Sequence, residues 1–351
     1  MRHFTSSTIL LVAFALLTGC AGLKLTKIDG AYGTPSNVGL FFTVDTRDGE
    51  PVPGMAATDF AIYEDGQLVS VDESQQTIIN PEVAAEHYTL LLVDMSGSVT
   101  ESDQVPMIVA AAQSFSSTLE GYQKVAVYAF DGSEEIYPIQ RFRAGGGGIG
   151  GLGGFRTRDP STNLNGALVA AADVLDQALE ESETPMRFGT LVVFTDGTDR
   201  AARVTEAAAR SRLRDGGFDV FAIGVGNEID ENVLDRIGYS GYVLIQDAEA
   251  IEAAFRTIGE RIVGYTQRFY LLSYCSPARA GTHEVTVEAL HPDGRTGSLD
   301  FAFDATGFGP NCDPNRPPEF ESTERIRVPR TTDRRGRLQV RLSASADAEM
   351  N

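Results

Sequence analysis

Three short stretches of the chain carry oxygen donors in patterns that suit a hard cation. The first is Asp94-Met95-Ser96-Gly97-Ser98. Alternate side chains of an extended segment point the same way, so Asp94, Ser96 and Ser98 can converge on one point. The second stretch ends in Ser161-Thr162-Asn163-Leu164-Asn165-Gly166, and the third is Phe194-Thr195-Asp196-Gly197-Thr198. Asp94, Ser96, Ser98, Thr162 and Asp196 then form a candidate metal site of three hydroxyls and two carboxylates. Hard oxygen donors favour Mg2+, Ca2+ or Mn2+ over zinc or copper. If the carboxylates hold the ion through water while the hydroxyls bind it directly, the ion keeps an appetite for a further anion. An Asp or Glu of a partner protein fits that open position.

The surrounding pattern supplies the elements that must position these residues. Tyr88 to Val93 is a nearly continuous apolar run, as expected of a strand buried on both faces. A helix follows, with Val105, Ile108, Ala112, Phe115 and Leu119 on one stripe and Pro106 in its first turn. Lys124 to Phe130 reads as a strand, Asp131-Gly132 as a turn, and Glu135 to Phe142 as an antiparallel edge strand that accommodates Pro138. A helix carries Leu164, Leu168, Ala171, Leu175 and Leu179. Strands at 190–195, 218–225 and 242–245 alternate with helices at 205–213, 231–237 and from Ile251 to Ile262. Such alternation predicts an α/β fold with a doubly wound, mostly parallel sheet. In an open sheet of that kind ligands bind at the carboxyl ends of the strands, where all three stretches fall.

The motif Asp-x-Ser-x-Ser, then Thr, then Asp, in this order and in these strand contexts, resembles the von Willebrand factor type A (vWA) domain with an intact metal-ion-dependent adhesion site (MIDAS). The resemblance covers about half the chain. It implies a Rossmann-like fold, with Ser96, Ser98 and Thr162 bonding the metal directly and Asp94 and Asp196 acting largely through water. The stretch Val44 to Glu64, with Asp48-Gly49 and Asp59-Phe60, also resembles the β leader of bacterial exported members. One departure from the family is Gly145 to Gly154, eight glycines with Ile149 and Leu152 as the exceptions. It precedes the Thr162 loop, and its composition predicts a mobile loop bordering the metal face, either a flap over the site or a low-complexity insertion with no role. Arg156 and Arg158 follow it and read as solvated.

The chain has 351 residues, 42% of them hydrophobic, and a net charge of -20. That charge argues against nucleic acid as a partner, since phosphate would be repelled. Residues 1–19 read as a lipoprotein signal peptide: Arg2, the apolar run Ile9 to Leu17, then Leu17-Thr18-Gly19-Cys20. This resembles a bacterial lipobox, which implies lipidation of Cys20 and, with Ala21 following, membrane attachment in the cell envelope, at the outer membrane. The remaining cysteines, Cys275 and Cys312, are expected to pair in an oxidising compartment, stabilising the fold by roughly 4 kcal/mol.

Residues 20–37 read as a tether. From Val38 to residue 86 the pattern is β, with turns at Asp48-Gly49 and Asp65-Gly66 and strands at 60–64 and 67–71. The vWA-like unit is assigned to 87–264. The β pattern returns over 265–312, with strands at 269–274, 284–290 and 298–304. These flanks form either one small β-sandwich into which the α/β unit is inserted, or two separate modules. Insertion is favoured, because parallel-sheet domains commonly have their termini close together. The tail 313–351 reads as mostly disordered. His87, His283 and His291 lie in none of the metal loops and read as surface or strand residues.

No nucleophile is paired with a base, and no carboxylate pair occurs beyond the metal loops, so an enzyme is not expected. The expected function is a lipid-anchored envelope protein that binds a protein partner through the metal. The alternatives are a structural or assembly component in which the metal mainly stabilises the fold, and a metal-dependent hydrolase subunit.

Overall fold

The computed structural model describes residues 22–79, 85–121, 123–144, 148–184, 186–226, 229–316, 318, 320 and 338–342. The signal peptide and Cys20 lie outside them. Fifteen strands appear in the described residues: β1 Leu23–Gly33, β2 Asn37–Thr46, β3 Phe60–Glu64, β4 Gln67–Leu68, β5 Thr77–Ile79, β6 Ala85–Asp94, β7 Lys124–Phe130, β8 Tyr137–Ala144, β9 Met186–Thr195, β10 Asp219–Val225, β11 Gly241–Ile245, β12 Phe269–Cys275, β13 Thr282–Leu290, β14 Thr296–Asp304 and β15 Leu338–Leu342. The five longer helices are α1 Val105–Leu119, α2 Leu164–Glu180, α3 Glu206–Gly216, α4 Glu231–Ile237 and α5 Ile251–Gln267.

The large sheet has the order β15-β11-β10-β9-β6-β7-β8. Its neighbours run parallel, except that β8 is antiparallel to β7. β6 and β9 are buried along their carboxyl halves because helices cover both faces. α1 and α5 close one face around Phe115, Phe194 and Phe255. α2, α3 and α4 close the other around Leu168, Leu175, Phe218 and Leu234. Removing one of these large buried side chains, as in Phe255→Ala, costs about 3–5 kcal/mol.

Two four-stranded antiparallel sheets form the sandwich, with orders β1-β2-β12-β5 and β14-β13-β3-β4. Each takes strands from both sides of the α/β unit: β12 pairs with β2 and β5, and β13 pairs with β3. The core between them includes Phe42, Phe60, Tyr270 and Phe303. The other face of the first sheet presents Phe41, Phe269 and Leu271 to Ala85 and Met186, which begin β6 and β9. The molecule is thus layered as α/β unit, inner sheet, outer sheet. A disulfide joins Cys275, at the end of β12, to Cys312.

Two expectations are corrected. Residues 23–33 are not a tether: they form β1, an edge strand paired along its length with β2. Its alternation is blurred by a bulge between Lys27 and Asp29 and by Gly30 and Gly33, so the signal lies in the partner strand. Only Gln67–Leu68 of the expected 67–71 strand is extended, and Val71–Ser74 is a helical turn capped by Ser70. Within the tail expected to be mostly disordered, residues 338–342 add a parallel strand to β11. Val340 and Leu342 pack on the core, while Arg341 and Gln339 reach Glu231 and Asp235 of α4.

Candidate metal centre

Asp94 is the last residue of β6, and Thr195 ends β9, the neighbouring strand, with Asp196 directly after it. β7 lies on the other side of β6, so the order in which strands are added to the sheet reverses between β6 and β9. This is the switch point at which an open α/β sheet leaves a crevice. Thr162 stands two residues before α2, whose far end leads back into β9.

Asp94 and Ser96 are fully buried, and Thr162 is 4% exposed. Ser98 is exposed and Asp196 half-buried, so the cluster opens to solvent on the Ser98 side. The Asp94 carboxylate is fixed at both oxygens: the Ser96 N–H donates to Oδ1 at 3.0 Å and the Thr195 hydroxyl to Oδ2 at 2.7 Å. Burial, followed by the charge of Asp196, pushes the Asp94 pKa up to about 6. Ser96 Oγ and Ser98 Oγ stand 3.3 Å apart. Neighbouring ligands of an octahedron with bonds of about 2.1 Å are roughly 3 Å apart, so the two hydroxyls can share one small cation. A buried carboxylate pressed by a second one, beside paired hydroxyls, is a donor set that fits a divalent ion. Among the described residues no three His, Cys, Asp or Glu side chains gather as a metal cluster. Most donors of this site are hydroxyls, which such a grouping does not include.

The three loops are laced together by residues that the sequence did not mark for this role. Asp131, at the end of β7, accepts from Ser133 N–H through Oδ1 and from the Arg158 and Asp159 N–H groups through Oδ2. Its backbone carbonyl accepts from Asn163 N–H at 3.1 Å. Thr157 donates to the Met95 carbonyl and exchanges a hydrogen bond with Thr100. The Thr162 carbonyl accepts from the N–H groups of Arg200 and Ala201, which binds the second loop to the third. Two glycines allow this closeness. A Cβ on Gly97 would lie 3.1 Å from the Pro160 carbonyl oxygen, and one on Gly132 would lie 2.5 Å from the Asp159 carboxylate. Asp131-Gly132 reads in sequence as a turn pair. Its place at the end of a buried parallel strand, the same place Asp94 holds, is the signal that could have found it.

The described part of the glycine-rich stretch is not an open flap. Gly150–Gly153 makes one helical turn, and Ile149 and Leu152 are fully buried in the core beside α1. The two apolar exceptions in the run therefore act as pins. Residues 145–147 lie outside the described residues. Arg158 is exposed, stacks over Tyr137 at 4.6 Å and stands 4.0 Å from Glu135. His87 is half-buried against Phe188 and Phe269, and burial lowers its pKa to about 3, so it is a neutral ring of the domain junction.

Residues 90–256 match the sequence profile of the von Willebrand factor type A domain, and all five candidate donors fall within that span. The α/β unit is a vWA domain. No curated protein matches the chain. Several solved structures are similar in fold. Proximal thread matrix protein 1 of the mussel byssus is 15% identical with a TM-score of 0.44, and the match covers 51% of this chain and 48% of that one. The chain therefore spans about half the length of that relative. A von Willebrand factor type A protein of Catenulispora acidiphila is 13% identical with a TM-score of 0.43, over 82% of this chain and 75% of that one. The manganese-loaded TRAP protein of Plasmodium vivax is 15% identical with a TM-score of 0.41, over 67% and 98%.

Proposed function

We propose that this protein is anchored to the bacterial outer membrane by lipid on Cys20, and that its vWA domain binds a protein partner through one divalent ion. Asp94, Ser96, Ser98, Thr162 and Asp196 hold the ion, and a partner carboxylate completes its coordination. The observation that carries this reading is the Asp94 carboxylate, oriented at both oxygens, buried and pressed by Asp196 rather than by a cation. Such a group gains most from a cation supplied from outside. When bound, the ion supplies Lewis acidity toward an anionic oxygen. Ser98, at the exposed side, marks where the partner approaches. Mg2+ is the expected ion, with Ca2+ and Mn2+ compatible with the same donors.

Pull-down from envelope extract with and without EDTA tests the binding reading. Partner recovery should require metal and be lost with Asp94→Ala. Equal recovery in all three conditions sinks it. A second reading, that the metal mainly stabilises the fold, draws on the same buried carboxylate. It is distinguished by Mg2+ raising the melting temperature while leaving partner recovery unchanged.

A further inference from the structure

Five large apolar side chains are exposed among the described residues, and three of them, Leu68 (63%), Leu290 (59%) and Val71 (41%), line one groove. The groove measures about 1110 Å³ and lies on the outer sheet of the sandwich. Tyr63 also lines it, from an outward position of β3 between buried Ile62 and buried Glu64. Leu290 is likewise outward, next to buried Ala289. The opposite side of the sandwich carries the vWA domain, so this face points away from the metal centre.

The chain enters the fold at the rim of this groove. Leu23 lines it, and the Leu23 carbonyl lies against Gly297, another lining residue. Arg47, exposed on the same rim, lies over Gly22. Cys20 is two residues before Gly22, so it attaches within ~7 Å of that point. With no tether between, lipid on Cys20 would bring the outer sheet down to the bilayer surface.

We propose that this face is a membrane-docking surface. Leu68, Val71 and Leu290 insert at the headgroup–acyl boundary beside the anchor, and Arg47 meets lipid phosphate. Three exposed apolar side chains gathered on one groove beside a lipid chain supply the second membrane contact that firm anchoring requires. Asp59 and Glu288 also line the groove, and the chain carries a net charge of -20, so the surface suits neutral lipid. The proposal rests on the anchor reading of Cys20.

The test separates the two. Cys275 and Cys312 are joined, so in protein expressed from Cys20 onward without the signal segment Cys20 is the single free thiol and accepts a maleimide lipid chemically. Conjugated protein on phosphatidylcholine vesicles should show slowed amide exchange over residues 58–71 and 288–298. Unconjugated protein carrying Leu68→Ser with Leu290→Ser should float with vesicles at least tenfold less than the parent, since each lost leucine removes apolar contact. Met107→Ser, an exposed apolar position on α1, should leave flotation unchanged, and matched melting temperatures show that the variants are folded. Unslowed exchange in both segments, or flotation indifferent to the leucines, overturns the docking surface. So does concentration-dependent slowing without vesicles, which would assign the face to a second copy. Intact mass of the native protein reads the anchor separately. An unmodified Cys20 retires the anchor, while the vesicle results still decide whether this face binds lipid.

Discussion

Asp45 and Asp94 are both carboxylates sealed from solvent, one in the sandwich and one in the vWA domain. Burial raises the pKa of each. Asp45 meets its countercharge inside the fold: Arg268, equally buried, reaches it at 2.9 Å and opposes the effect of burial. Asp94 receives hydrogen bonds from neutral donors, Ser96 and Thr195, and the charge that acts on it is the like charge of Asp196. Where the chain needs a structural joint between α5 and β2, it supplies the cation itself. At the candidate metal centre the fold supplies no such cation to Asp94 and sets a second carboxylate beside it.

The largest effect that would sharpen this contrast is at the joint. Arg268→Met should destabilise the protein by about 3–5 kcal/mol, because it strands Asp45 without its partner. Adding Asp45→Asn should recover most of that loss, as read by urea denaturation of the single and double variants. At the metal end a neutralising change should act in the opposite direction. The rise of the Asp94 pKa from 3.8 to about 6 corresponds to about 3 kcal/mol disfavouring the folded state once the group is ionised. Asp94→Asn should therefore stabilise the metal-free protein at pH 7 by up to about that amount and abolish the gain on adding Mg2+. Thermal melts in EDTA and in Mg2+ would show it, and a destabilised Asp94→Asn would break the comparison.

The pH course follows from the same group. A carboxyl whose pKa is raised by folding contributes stability that is fully present below about 4 and is lost as pH rises through about 6. In EDTA the difference between parent and Asp94→Asn should thus open across that window, and saturating Mg2+ should close it. Differential scanning from pH 4 to pH 8 makes the measurement. The smallest effect is expected at Thr195→Val. Loss of the hydroxyl on Asp94 Oδ2 should cost about 1–3 kcal/mol in metal-free stability and weaken Mg2+ binding by a few-fold in calorimetry.

The candidate donors were legible in position because each sits at the end of an apolar strand or the start of a periodic helix, where the local pattern is strong. Asp94 and Asp196 follow runs buried on both faces, and Thr162 precedes the stripe Leu164, Leu168, Leu175. Asp131 and Thr195 were not legible, because their roles depend on which loops meet in space. β1, β5 and β15 were missed for a related reason. Each is a sheet edge whose regularity is dictated by the strand beside it. The glycine run misled through its composition, since two buried side chains, Ile149 and Leu152, outweigh the freedom of the glycines around them.

The insertion of the vWA domain between strands of one sandwich also has a mechanical side. The chain enters the domain before Ala85 and leaves it at Arg268, both on the face opposite the metal. A partner tugging at the metal centre would load β6 and α5 side by side, in shear, instead of peeling one connection after another. Beyond Cys312, whose disulfide fastens it to β12, the chain returns to the large sheet as β15 and adds a third line of attachment. Three such lines share a load applied at the candidate metal centre that a single connection would carry alone.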